Sequence, residues 1–498
     1  MIVYTNMNKN IEKLILFLIL ALLIISSCRP DENFVEGSVE IRVSEDTIRF
    51  DTVFTEIGTT TKLFKLYNDN QNTLLVDRIE LNNQTNFFRL NIDGIPGGVQ
   101  ENIEIAAFDS LYVFVEATID PNLPLSISPY IIEDQVQVTI NDQNKTVYLE
   151  AWGQNANYLP NKEASSDLNF YTCNMQEWVW DDPKPYVIYG SIIIDSCQVV
   201  WPKGTEIYVH GGIAINDLGI YNDGLIFFLQ NSSLNSQGTA EEPVTVKTDR
   251  LEPFYSDQGG QWSGIILGPN SRTHRLRYTT IQNSIVGIRV DSNAIANFQN
   301  CQFLYTSGSG LIGRHASIDA TNCLFHNNLL NGVQMVFGGN YNFTHCTIAS
   351  YDGQESGITM NNFQCLDQFC ENHPLLNNLR ANFTNCIISG NDTDEISFGD
   401  WTPDVESDFN YSFRNCYVQV DELLEPEAYP NFFDQCGDCI NGTNFDSIYI
   451  DQRMDDFHLD TMSLVIDKGL FIEEITIDLE GNPREPGLFD IGCYEFQK

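Results

Sequence analysis

Two sets of residues in this 498-residue chain have types and spacings that suit chemistry. Arg289, Asp291, Arg314, His315 and Asp319 repeat cation, carboxylate and imidazole about one repeat apart, an inventory suited to proton transfer at a sugar ring. A solvated charged edge between neighbouring elements uses the same residue types and is the plainer reading. Asp181 and Asp182 precede the repeats, and His210-Gly211-Gly212 stands alone, so no acid-base motif is complete and the catalytic residues stay unassigned.

The second set is sulfur. Cys301, Cys323, Cys346, Cys386 and Cys416 each follow an aromatic or small residue by three positions and precede an apolar residue by two, as in Phe298/Cys301/Phe303 and Phe343/Cys346/Ile348. Asn300, Asn322, Asn385 and Asn415 stand immediately before four of them, and His345 before the fifth. Side chains stacked at one position of successive strands point the same way, which is poor geometry for a bridge. These five are therefore expected to form a core ladder of buried thiols. Cys365 with Cys370 and Cys436 with Cys439 lie in loop-like sequence and are the disulfide candidates. No histidine pair or second C-x2-C completes a zinc site, and no D-x-[DN]-x-[DN]-G loop is present. No metal site and no cofactor is expected, calcium being the alternative that the acidity leaves open.

The elements that must position these residues are strands. Cysteine intervals of 22 and 23 residues with no helical period fit coils of three short strands, stacked at about 4.8 Å and burying their inner faces only against one another. The expected fold is all-β: an antiparallel β-sandwich followed by a parallel β-helix. Period-2 alternation in Lys62 to Tyr67, Leu111 to Val115 and Val136 to Ile140 marks the sandwich at 38–153. A linker is expected at 154–185, roughly ten coils at 186–425, and a C-terminal coil and cap at 426–498.

Three resemblances bear on address and role. Lys9 and Lys13, an apolar run from Leu14 to Ile25, and Ser26-Ser27-Cys28 resemble the lipobox of bacterial lipoproteins. That implies a signal peptide over 1–27, lipidation at Cys28 and a tether over 28–37. Asp31 and Glu32 resemble the acidic surface-export signal of some Gram-negative lipoproteins, so the expected place is the outer membrane, lipid-anchored and facing outward. The stretch from Phe50 to Leu81 resembles immunoglobulin-like modules of the abnormal-spindle and hydin type. The turn around Gly238-Thr239, the strand Gly260-Gln261-Trp262-Ser263-Gly264-Ile265 and the closing segment near Phe489-Asp490-Ile491-Gly492-Cys493 resemble bacterial right-handed β-helix surface proteins.

With 26 basic against 68 acidic residues the formal charge is −42, which argues against nucleic acid as a partner. The expected partners are outer-membrane lipid through Cys28, and a glycan or surface protein. From the missing acid-base motif the expected role is a noncatalytic surface binding or adhesion platform. The alternative is a polysaccharide-degrading lyase or glycoside hydrolase on the same scaffold. Trp178, Trp180, Trp201, Trp262 and Trp401 could stack on sugar rings or fill the core.

Overall fold

The computed structural model describes residues 34–497 except 36, 38, 55–60, 83–86, 119–129, 161–167, 217–218, 368–369, 371–373 and 403–407. The signal peptide 1–27, Cys28 and most of the tether lie outside the described residues. The chain divides into two compact units, 1–155 and 156–498.

In the first unit two five-stranded sheets enclose one core. Alternation sets which side chains go in: along Lys62–Tyr67, Phe64 and Leu66 are buried while Lys65 and Tyr67 are not. At the end of that strand the buried Asn68 donates its Nδ2 to the carbonyls of Asn72, Ile105 and Ala106, satisfying a turn that no strand reaches.

The second unit is a right-handed parallel β-helix. One coil serves as the pattern: Ser284–Val290 on face A, Ile295–Gln299 on face B, Gln302–Thr306 on face C. Among the described residues faces A and B form one continuous 17-stranded sheet, and face C is an 11-stranded sheet. The corner from B to C is a single left-handed residue: Asn300 (φ 54°), Asn322 (50°), His345 (52°), Asn385 (54°) and Asn415 (48°). Asparagine tolerates this conformation better than other residues with a Cβ, which explains why it recurs before cysteine.

That one-residue corner throws the next side chain inward. Cys301, Cys323, Cys346, Cys386 and Cys416 are free and fully buried. The thiols of Cys301, Cys346 and Cys386 donate to carbonyls one coil earlier, at Leu276, Ala320 and Phe343, over 3.4, 3.5 and 3.4 Å. Burial drives the Cys323 and Cys386 thiols upward, so they stay neutral. Beside the ladder, Phe343, Phe383 and Phe413 stack nearly parallel at 5.0 and 4.7 Å. Cys365 is bonded to Cys370 and Cys436 to Cys439, and a further bridge, Cys173 to Cys197, ties the first coil to the second. Trp180, Trp201 and Trp262 are core residues; Trp401 remains exposed.

Two sequence boundaries need correction. The expected linker at 154–185 carries strands Asn157–Leu159, Leu168–Thr172 and Glu177–Val179, which pair in parallel with the next coil. Its polar composition hid them because a first coil has one unstacked edge and keeps polar side chains. Only the first part of the C-terminal segment closes the coil stack, with Phe432 packed against Phe398, Tyr411 and Phe413 of the last coils. After Ile440–Asn441 it runs along the outside of face C, burying Tyr449, Phe457, Leu459, Leu479, Ile491 and Cys493 against Leu324, Ile387 and Tyr417.

The corner asparagines also hold this strap. Nδ2 of Asn300 donates to Asp478 O and Leu479 O, that of Asn322 to Ile477 O, of Asn385 to Leu470 O and of Asn415 to Lys468 O. At Gly492 (φ 103°) the strap backbone donates to Asn385 O and its carbonyl accepts from Arg484 Nη2. A Cβ there would meet Ile387 Cδ1 at 2.6 Å, so glycine is required for both conformation and space.

Candidate active site

Corners from C to A are longer and carry the groups that converge. At the end of Gln302–Thr306 and of Leu324–Asn328, Tyr305 (φ 50°) and Asn327 (φ 53°) are left-handed residues skipped by the ladder, which pairs Leu304 with His326 and Thr306 with Asn328. Their side chains both reach Asp455, another left-handed residue, in the C-terminal strap. Tyr305 Oη donates to Asp455 Oδ2 at 2.7 Å, and Asn327 Nδ2 donates to Oδ1 at 2.7 Å. Asp257 from the loop after Val244–Thr248, Asp352 from the corner after Thr347–Ser350, and Arg453 from the strap line the same opening, about 450 Å³ in volume.

The electrostatics are those of an acid-rich cleft. Burial, the hydrogen bond to Asp455, and the charges of Asp455, Asp257 and Asp352 hold the Tyr305 hydroxyl far above its ordinary range, so it remains a proton donor. His326 lies edge-on to Tyr305 at 5.5 Å, and burial pushes it down to about 4, leaving the imidazole neutral at pH 7. Among the described residues no group of three or more His, Cys, Asp or Glu side chains is placed to hold one metal ion. The three aspartates therefore surround an opening instead of gathering on a point. This arrangement gives oriented acceptors, a neutral donor and a cation at one rim.

The residues singled out from sequence fall elsewhere. Arg289 forms a bidentate pair with Asp291, Nε to Oδ1 at 2.9 Å and Nη2 to Oδ2 at 2.8 Å, and Asp291 is buried. Arg314 donates to Gln364 Oε1 at 2.5 Å and lies over the Phe337 ring, while His315 is the left-handed residue of a corner between faces A and B. Asp319 sits on face B and accepts from Asn342 Nδ2 at 2.8 Å. Coil stacking brings Arg289, Asp291, Arg314 and His315 to adjoining coils at one edge, but Asp319 is on another face. Arg289 also borders a shallow apolar groove with Leu225, Ile266 and Val286. His210 Nδ1 pairs with Asp249 Oδ2 at 2.7 Å and stacks on Tyr189 at 4.2 Å.

Sequence reasoning missed Asp257, Tyr305, Asp352, Arg453 and Asp455 because they come from separate segments and share no motif. The one local signal is the acidic run Asp451-Gln452-Arg453-Met454-Asp455-Asp456.

No protein-family model matches the sequence, and no curated protein matches it. Several solved structures are similar. A catalytic unit of a GH87 alpha-1,3-glucanase from Streptomyces thermodiastaticus is 12% identical, with a TM-score of 0.22, covering 71% of this chain and 74% of that one. A periplasmic alginate epimerase mutant is 9% identical, TM-score 0.23, over 59% and 77%. A family 123 glycoside hydrolase from Clostridium perfringens is 10% identical, TM-score 0.19, and the chain spans about a quarter of its length, 26%. Identities and scores this low add nothing to what the strand registers establish about the fold. The expectation of a noncatalytic platform is nevertheless corrected, by the geometry of this chain itself, where Asp257, Asp352 and Asp455 line one opening. The premise of that expectation, that no carboxylates converge, fails at Tyr305.

Proposed function

We propose that this protein is a polysaccharide-processing enzyme of the carboxylate type, acting at the Tyr305 cleft. The observation that carries the reading is one opening lined by Asp257, Asp352 and Asp455, with Asp455 hydrogen-bonded to the Tyr305 hydroxyl and Arg453 on the same lining. Cleaving a glycosidic bond needs one carboxyl to protonate the leaving oxygen and a second to activate water or attack the anomeric carbon. Asp455, fixed by Tyr305 and Asn327, is the oriented carboxylate. Asp257, whose Oδ1 accepts from Gln258 Nε2, and Asp352 are exposed and supply the second carboxyl. Arg453 at the rim holds a hydroxyl or an acidic substituent of the sugar. On the lipobox reading of Cys28 the enzyme works from the outer membrane on glycan outside it, and the N-terminal sandwich is its immunoglobulin-type module.

The test is release of reducing ends from a panel of neutral and acidic polysaccharides by the full chain. Turnover of at least one is expected, falling by a factor on the order of 10² to 10⁴ in Asp455→Asn with an unchanged melting temperature. A protein inert on the whole panel, or one whose rate survives substitution of all three aspartates by asparagine, is not this enzyme.

A further inference from the structure

The outer surface of face B differs in charge from the chain as a whole. Its strands from Ser233–Gln237 to Phe409–Arg414 point alternate residues outward, and the registers align them in rows. One row runs Asn235, Arg275, Asn297, Asp319, Asn342, Asn382, Ser412; the next runs Gln237, Arg277, Gln299, Thr321, Thr344, Thr384, Arg414. A third runs Ile295, Ser317, Asn340, Arg380 and Asn410, apolar at its first position and polar beyond it. Outward positions of these strands thus carry Arg275, Arg277, Arg380 and Arg414 against the single acid Asp319, in a chain of charge −42. All four arginines are exposed, and none is in an ion pair among the described residues.

Between the cations the surface is an amide and hydroxyl ladder. Asn342 donates to Asp319, Asn382 Nδ2 to Asn342 Oδ1 at 3.0 Å, and Ser412 Oγ to Asn382 Oδ1 at 2.8 Å. Each asparagine spends one N–H on its neighbour and keeps another for a ligand. Arg380 and Arg414 lie four and five strand steps from Arg275, roughly 19 and 24 Å at about 4.8 Å per step.

We infer that the outer face of sheet B binds an anionic polysaccharide, a chain bearing carboxylate or sulfate groups, laid along the coil axis. The guanidinium groups at the two ends take the acidic substituents in paired hydrogen bonds, and the ladder between them takes sugar hydroxyls. Charge density selects the occupant. A nucleic-acid duplex presents a charge every ~1.7 Å, about fourteen over this length, against four arginines and a repelling net charge. A sparsely charged glycan matches four.

The experiment is affinity electrophoresis of the full chain in polygalacturonate, alginate and dextran sulfate, with uncharged dextran and duplex DNA as references. At least one anionic glycan should retard the protein tenfold more strongly than dextran, and added salt should weaken the effect. Arg275→Gln/Arg277→Gln and Arg380→Gln/Arg414→Gln should each lose much of the retardation, and the quadruple variant should fall to the dextran level. Arg→Lys versions should keep part of it. Melting temperatures report folding, and if the quadruple variant is unstable the two double variants decide. The catalytic reading is scored separately, by release of reducing ends, so its failure leaves this test intact. No preference for any anionic glycan, retardation unchanged in the double variants, or equal retention of DNA would each overturn the assignment.

Discussion

Faces B and C share one coil, one interior and one strand spacing, yet their outer surfaces have opposite fates. Face C turns Leu324, Ala349, Ile387 and Tyr417 outward, and the strap covers them. Face B turns asparagine, threonine, serine and arginine outward, and these side chains remain accessible. The interior repeat makes the coil; the outward residue type decides what each face meets next. An apolar outer row recruits the chain's own C-terminal segment, because leaving it in water costs about 1.5 to 3 kcal/mol for each large side chain. A polar row with fixed spacing costs little in water and presents a regular template.

The strongest way to break this comparison is to remove the cover. Ending the chain at residue 442 exposes Leu324, Ile387 and Tyr417 together, a loss on the order of 5 kcal/mol or more and comparable to the stability of a whole domain. The truncated protein is expected to aggregate or to melt far below the parent in a thermal scan. A truncated chain that stays monomeric with the parent's melting temperature would show that the strap does not stabilise face C.

Next in size is Arg484, a fully buried strap cation paired with Glu495 at 2.8 Å and donating to Asn322 Oδ1 and the carbonyls of Gly492 and Cys493. Arg484→Ala leaves Glu495 buried without its counter-ion and should cost about 3 to 5 kcal/mol in denaturant titration. Glu395 shows the same economy without a cation. It is fully buried at a corner from C to A, takes N–H groups of Gly357 and Asp392, and burial pushes it up to about 7. A carboxyl whose folded pKa is raised holds its proton in the native state, so stability is greatest below the unfolded value near 4.5 and falls as pH rises through 7. The stability of the parent relative to Glu395→Gln should therefore drop by on the order of 3 kcal/mol between pH 4 and pH 8. A pH-independent difference would mean that Glu395 is not held protonated.

Asn385→Ala removes hydrogen bonds to and from Leu470 and places alanine at φ 54°, so about 2 kcal/mol is expected, against under 0.5 kcal/mol for Asn342→Ala on open face B. Equal costs at the two asparagines would erase the distinction between a strap-holding row and a free one.

Much of this architecture was legible in the residues. The cysteine period predicted the coil because each coil needs an inward side chain at the same place. The asparagine before four of the five cysteines was legible only as a repeat: its left-handed backbone follows from residue type, whereas its second task, holding a strap 53 to 179 positions away, does not. The first coil was hidden in polar sequence, and the strap in a segment whose apolar residues lack any strand period.

What the sequence determined alone is local: alternation in the sandwich, the coil repeat, the corner asparagines and a strong negative charge, all set by periods of 2 and about 22 along the chain. What only the tertiary structure decided is which distant residues meet. Asp257, Asp352 and Asp455 come together because parallel stacking brings corners from separate coils side by side and the strap returns along them. Arg275 and Arg414 likewise share a face through register, since a row perpendicular to the strands leaves no spacing signature in the order of residues.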